Sequence, residues 1–395
     1  MLEKAKWQSP SSPASSASSR SGNRPAEWQD LFFAGGQASL KITTKVRIIQ
    51  RTGQPFLVLP ACYNLASQAL TLYPAQTSLA RLAKFSLASA LNLKLPLAPP
   101  IRTLSINCEE PFAAFLTKTA GGAHFPRFAI LVGNPKADGR RFVVLLFNES
   151  NQRVAVVKAG IGESAISLID QEASFLASVP RNTPGTPQMR SAFRSNRLHA
   201  LALDFFPGSS PGPDDASGLE RLLSSWIDST RTIPIHELPA WQRLAAGSDP
   251  CSTISQQLKG IVCHPVIYHG DFTPWNIKVL RGTWLALDWE RGELTGIPGW
   301  DWFHYVIQSA VLIRREPVAS LEARVERLLA SENFARYAAR AKIAGTERLL
   351  LVAYLNYSVQ ILKQTEELPR VQSLLNRLST NWAKAEAKPA GQIQS

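Results

Sequence analysis

Val266 to Glu290 reads V-I-Y-H-G-D-F-T-P-W-N-I-K-V-L-R-G-T-W-L-A-L-D-W-E, and the rest of the chain is best read outward from it. Val266 to Tyr268 is a short apolar run that predicts a buried strand. It is cut off at His269-Gly270-Asp271, where glycine permits a tight turn. An acid is thus delivered at a strand end. Asn276 follows five residues on, then a second strand from Ile277 to Leu280, a turn at Arg281-Gly282, and a third strand from Trp284 to Leu287 that delivers Asp288. Three oxygen-bearing side chains therefore converge at strand ends.

Phosphoryl transfer needs such a set. Mg²⁺ is a hard cation held by a carboxylate or two together with substrate phosphates, and Asn276 and Asp288 supply that half-shell. A separate carboxylate must accept the proton of the attacking hydroxyl, and Asp271 stands between the strands where it can do so. The pattern H-x-D-x-x-x-x-N, followed by an apolar strand ending in Asp, is the eukaryotic-kinase arrangement. Here Gly270 stands where protein kinases carry Arg, and D-W-E where they carry D-F-G. In the form H-G-D-x-x-x-x-N then D-W-E, the chain resembles the aminoglycoside phosphotransferase and choline kinase-like family. That resemblance implies an α+β, bilobal protein-kinase-like fold. It also implies ATP and Mg²⁺ as cofactors and a small-molecule hydroxyl as acceptor, with Asp271 as base and Asn276 and Asp288 on the metal.

Upstream, V-A-V-V-K ends in Lys158, similar to the kinase V-A-I-K whose lysine neutralises the α- and β-phosphates. The helix expected after Gly162 carries Ile166, Ile169, Ala173 and Leu176 as an apolar stripe, and Glu172 lies on it. A carboxylate on a buried face costs several kcal/mol unless paired, roughly the scale at which a partner becomes obligatory, and Lys158 is the obvious partner. Phe128 to Val132 and Phe142 to Phe147 read as a hairpin. Its loop, Gly133 to Gly139 with Lys136 inside it, has the length and the glycines to lie over phosphates, although it is not G-x-G-x-x-G. Leu198 to Phe206 reads as a strand running into a Gly/Pro connector, like the hinge between kinase lobes. The resemblance implies that adenine meets backbone there, near Asp204 to Phe206.

The remaining segments frame this core. Residues 1–27 are Ser-, Pro- and Arg-rich and read as a disordered tail. Residues 28–108 read as a basic accessory subdomain, with strands at Ser39 to Gln50 and Gln54 to Leu59 and a helix at Thr77 to Leu93. On that helix Leu79, Leu82, Phe85 and Leu87 to Leu91 are expected to form the stripe, with Arg81 and Lys84 facing out. Residues 109–206 form the nucleotide-binding lobe, strand-rich from about Phe112, with Arg181 to Arg197 as a loop. Residues 207–383 form the helical, acceptor-binding lobe, including a short helix at Ser252 to Leu258, and residues 384–395 look frayed. Asp301 is placed to cap a helix from Trp302 to Arg314, and in the family an Asp at this place supports the catalytic loop from beneath. His269 reads as structural and His304 as a packing residue. Of the tryptophans near the motif, most read as core and one or two as lining an acceptor pocket.

Charge sorts the partners. The net charge is +13, and residues 1–160 hold 19 Lys/Arg against 7 Asp/Glu. Such an excess suits a solvated face or an anionic partner, including a membrane surface, docked through the N-terminal part; nucleic acid is not indicated. Residues 291–345 hold eight Lys/Arg against six Asp/Glu, no acidic surplus for a polycationic antibiotic. No A-P-E segment follows Asp288, which disfavours protein phosphorylation. With no apolar run of the roughly 20 residues a membrane span needs and four scattered cysteines, a cytoplasmic enzyme is expected. The second reading is a kinase-fold binding protein with little turnover.

Overall fold

The computed structural model describes residues 28–32, 41–73, 75, 78–95, 99–107, 110–133, 139–212, 215–246, 257–258, 260–363 and 368–386. The tail at 1–27, Lys136, most of the short helix expected at Ser252 to Leu258, and the last nine residues lie outside them.

The N-terminal half is built on one sheet. Its elements are β1 (Lys41–Arg51), β2 (Gln54–Pro60), α1 (Tyr63–Ala69), α2 (Ser78–Asn92), β3 (Ile101–Asn107), α3 (Pro111–Ala120), β4 (Arg127–Val132), β5 (Arg140–Phe147), β6 (Arg153–Ile161), α4 (Glu163–Ser178), β7 (Met189–Arg194) and β8 (Leu198–Asp204). The strands form one eight-stranded sheet in the order β3-β1-β2-β4-β5-β6-β8-β7, antiparallel throughout. The stretch read as an accessory subdomain thus enters the sheet directly, β2 pairing with β4 through Leu57↔Leu131 and Val58↔Ile130. Alternation along the strands sends Val58, Ile130, Val144 and Val157 to one face, under Phe32 and Phe112. Leu57, Leu59, Ala129 and Leu145 go to the other, under Leu65 of α1 and Leu91 of α2. Lys158 pairs with Val143, and Val156 with Leu145, so Lys158 faces the side that also carries α1 and α2.

The other half is mainly helical: α5 (Ala216–Ser225), the short pair β9 (Ile233–Pro234) and β10 (Val262–Cys263) around α6 (Pro239–Ala245), β11 (Val266–Tyr268), β12 (Ile277–Leu280), β13 (Thr283–Ala286), β14 (Glu293–Gly296), α7 (Trp300–Gln308), α8 (Val318–Leu329), α9 (Glu332–Arg340), α10 (Glu347–Tyr357) and α11 (Leu368–Glu386). The helices α7 and α10 each run on into a turn of π-helix, at Ser309–Ile313 and Ser358–Leu362. One core joins α4 of the first half to the helices of the second, so the bilobal α+β organisation expected from the sequence is the one observed. The connector after β8 reaches across: Ser209 and Val279 of β12 exchange N–H···O bonds of 3.1 and 2.7 Å.

Four expectations need correction. Pro111–Ala120 is a helix, started by proline in its first turn and stopped by Gly121 at φ 75°, where strand-rich sequence was expected. Within the expected loop at Arg181 to Arg197 lies β7, an edge strand with no fully buried residue and hence no apolar alternation to betray it. Glu293–Gly296, within Arg291 to Gly299, where glycines and proline predict a loop, pairs with β11. On α2 the exposure is reversed in part: Leu87 and Leu91 pack inward and Arg81 faces out as expected, but Leu79, Leu82 and Phe85 face solvent, while Lys84 turns inward to donate to the Tyr73 carbonyl at 3.0 Å.

Candidate active site

The residues of the turn after β11 are locked together by the chain itself. Gly270 sits at φ 78°, and a Cβ there would lie 2.8 Å from the Arg291 Cβ and 3.0 Å from its carbonyl oxygen, so the turn admits glycine only. The neighbouring His269 is fully buried, its Nε2 2.7 Å from the Leu287 carbonyl, while its Nδ1 accepts the Asp271 N–H at 3.2 Å. Those two partners require the neutral ring with its proton on Nε2. Burial enforces the same state, pushing the imidazole pKa down to about 4.

Asp271 is held by both carboxylate oxygens. Asn276 donates its Nδ2 to the Asp271 carbonyl and to Oδ2, both at 3.0 Å. Oδ1 lies 3.1 Å from Nε2 of His304, whose Nδ1 is 2.8 Å from the Tyr354 hydroxyl. His304 is therefore more than a packing residue, which its place on an apolar helix face concealed. Burial disfavours the Asp271 carboxylate, but the hydrogen bond and charge of His304, joined by His269 and Arg291, together outweigh it and hold the group below its ordinary range. Asp301 lies beneath. It does not cap α7, which begins at Trp300 behind Gly299; its two oxygens instead accept the N–H groups of His269 at 2.7 Å and Gly270 at 3.1 Å. Burial pushes this carboxyl up to about 7.

The second acid is brought alongside by the backbone: Leu287 N–H donates to the Asn276 carbonyl at 2.7 Å. Asp288 then adopts φ 64°, a left-handed conformation that Asp tolerates better than most residues and that recurs at functional sites. Its side chain stays 45% open to the cleft. Trp289 anchors the turn, fully buried and stacked on Phe175 of α4 at 4.7 Å, with the His269 ring tilted against it at 4.5 Å.

Across the cleft, Lys158 binds both oxygens of Glu172 at 2.7 Å and also Asp288. Glu172 is 1% exposed and accepts the Trp289 N–H at 3.2 Å as well, so the buried carboxylate found a partner on each side of the cleft. Burial works against the Lys158 ammonium, yet Asp288 and Glu172 together hold it above its ordinary value. Asp288 is likewise opposed by burial and held below its ordinary range by Lys158. A further bridge links the halves: Arg141, just past the β4–β5 loop, pairs with Glu290 at 2.9 and 3.0 Å. Sequence reasoning left Arg141 out, since an arginine opening a strand carries no signal until its partner is located.

Lys158, Glu172, Asp271, Asn276 and Asp288 are thus brought together. Gly133 and Gly139 flank residues 134–138, which lie outside the described residues, and packing accounts for Gly139: at φ 76°, a Cβ would lie 2.9 Å from the backbone nitrogen and Cβ of Ala165 on α4. Asp204 ends β8, its carboxylate turned out to Arg190, and Phe205 donates its N–H to the Val154 carbonyl at 3.2 Å, which sets Phe206 at the start of the connector. Trp284, Trp289, Trp300 and Trp302 are core, and Trp275 is half-buried. A groove of about 890 Å³ runs along the outer side of α4 to Arg243 and Glu290. None of Lys158, Asp271, Asn276 and Asp288 lines it, so it is separate from this cleft.

The oxygen set fits a hard divalent cation. With the Asn276 amide nitrogen committed to Asp271, its oxygen is left as a donor, and Asp288 offers an ionised carboxylate open to the cleft. Among the described residues no three His, Cys, Asp or Glu side chains form a closed cage, so any cation here would complete its shell with phosphate and water.

No family model and no curated protein matches the chain. Among solved structures it resembles a thermostable mutant of aminoglycoside phosphotransferase APH(4)-Ia in complex with ADP and hygromycin B. The identity is 12% and the TM-score 0.42, over 70% of this chain and 99% of that one. It also resembles a putative fructosamine-3-kinase from Haemophilus somnus 129PT, at 16% identity and TM-score 0.44, over 67% and 96%. A choline kinase from Cryptosporidium parvum Iowa II follows at 10% and 0.36, over 66% and 90%. All three lie below 25% identity and a TM-score of 0.5, so the chemistry is read from the chain's own geometry.

Proposed function

We propose that the chain is an ATP- and Mg²⁺-dependent phosphotransferase that moves the γ-phosphate to the hydroxyl of a small molecule such as a sugar or an amino alcohol. The observation that carries the reading is the position of Lys158, clasped between Glu172 and Asp288 directly opposite a catalytic loop whose Asp271 is aimed by two hydrogen bonds. When bound, a magnesium ion would supply positive charge to offset the negative charge developing in the transfer. Asn276 and Asp288 would hold it. Lys158 gives up Asp288 to reach the α- and β-phosphates while Glu172 keeps the ammonium aimed.

Asp271 orients the acceptor hydroxyl and takes its proton. A carboxylate held below its ordinary range is a weak base, so its contribution is chiefly position, with proton transfer late. That suits a reaction in which the protein supplies mainly alignment and electrostatics. Dependence on ATP would place the working protein inside a cell. The test is ADP release by the full chain with Mg²⁺-ATP across sugars, amino alcohols and amino sugars. Turnover with at least one acceptor, reduced about 10²- to 10⁴-fold in Asp271→Ala with nucleotide affinity retained, is the expected result. Turnover indifferent to Asp271→Ala, or a chain that binds no nucleotide, removes the assignment.

A further inference from the structure

The outer face of α2 is apolar where a surface helix should be polar. Its inner side packs through Leu87 and Leu91 with α1 and β2. On the opposite side, Leu79, Leu82 and Phe85 are 77%, 61% and 69% exposed, and Leu93, one residue past the helix end, is 69% exposed. Residues three apart drift by about 60° around a helix, so the first three form one stripe about 120° wide. Single exposed leucines are ordinary; Leu79, Leu82 and Phe85 grouped on the first two turns of one face, with Leu93 following beyond Ser86 and Ser89, mark an interaction site.

Charge decides what covers it. Between Asp30 and Glu109 the chain holds eight Lys/Arg and no acidic residue, and two of these, Arg81 and Lys94, are exposed beside the stripe. A second copy would bring two acid-free basic surfaces face to face. The chain's own first 27 residues offer little: four Lys/Arg against two acids, and Ser and Pro in place of apolar side chains. A lipid surface with anionic headgroups supplies both halves of the match, an apolar layer for the stripe and negative charge for its rim. The helix has 15 residues, about 22 Å, and among the described residues no helix is long and apolar enough to cross a membrane. It can only lie in the interface.

We infer that α2 docks the protein on an anionic lipid surface, with Leu79, Leu82, Phe85 and Leu93 entering the acyl boundary and Arg81 and Lys94 meeting the headgroups. This rests on no part of the phosphotransferase reading. The experiment is co-sedimentation of the full chain with phosphatidylcholine vesicles, with and without phosphatidylserine. Wild type should bind only when phosphatidylserine is present, and less as salt rises. Leu82→Ser/Phe85→Ser and Arg81→Glu/Lys94→Glu should each weaken binding about tenfold or more. Because all four side chains face solvent, melting temperature should stay at the wild-type value. Absence of binding to the phosphatidylserine vesicles, or variants that bind as well as wild type, overturns the inference. So does a concentration-dependent dimer in lipid-free solution that Leu82→Ser/Phe85→Ser abolishes, which would assign the stripe to a second copy.

Discussion

His304 shows how much of a site can rest on one buried ring. Its Nε2 meets Asp271 Oδ1 and its Nδ1 meets the Tyr354 hydroxyl, so the acid is braced against α10 through α7. Removing the hydrogen bond in His304→Leu takes away the largest of the interactions that offset burial at Asp271, raising its pKa. The acid limb of kcat/KM should then move to higher pH, with a loss of about 10- to 100-fold at neutral pH, and His304→Gln, which keeps a donor, should recover part of it. A limb that stays in place while kcat falls would assign His304 to packing alone. The second ring, His269, titrates against stability. Its pKa falls from 6.5 unfolded to about 4 folded, so its contribution is present above 6.5 and is lost as pH falls toward 4, by roughly 3 kcal/mol. Asp301, raised to about 7, has the opposite sign: its contribution is lost as pH rises through 7. The two offset each other between about 4 and 6.5. His269→Gln removes one side of that balance, and its unfolding free energy should gain on wild type as the buffer is taken from pH 6.5 to 4. Parallel pH curves for the two proteins would refute this.

At the scale of elements, α7 is the piece on which the catalytic loop stands. Asp301 holds two amides of the β11 turn, and His304, one turn later, holds the carboxylate that the turn presents. Asp301→Ala leaves two buried N–H groups without their acceptor and should lower stability by about 2–4 kcal/mol, read from denaturant midpoints, with activity lost as the turn relaxes. Asp301→Asn, with one acceptor oxygen, should fall between. The strands at the heart of the site were legible because each combines an apolar run with an abrupt glycine or acid. So was α4, whose buried Glu172 demanded a cation and found Lys158. The elements β7 and β14 were not, being short and half-exposed, with their order coming from pairing partners distant in sequence. Nor was the facing of α2: with apolar residues nearly all round, periodicity alone could not say which side the core would take.

At the scale of the molecule, the cleft is closed by charge from both sides. Lys158 reaches Asp288 from the sheet half, and Arg141 reaches Glu290, so two ion pairs join the lobes where a nucleotide would enter. The Arg141 pair is partly open to solvent and should weaken with salt, whereas the Lys158 cluster should not. The β2–β4 pairing sets a limit on dissection. A fragment begun at Pro111 would keep every residue of the catalytic cleft yet strip β4 of its neighbour, leaving a raw row of amides and carbonyls beside the uncovered Ala129. Such a fragment should come out of cells as insoluble material. Recovery of it as a monodisperse monomer, melting with the intact chain, would show that the first hundred residues are ornament to the rest of the chain and not its scaffolding.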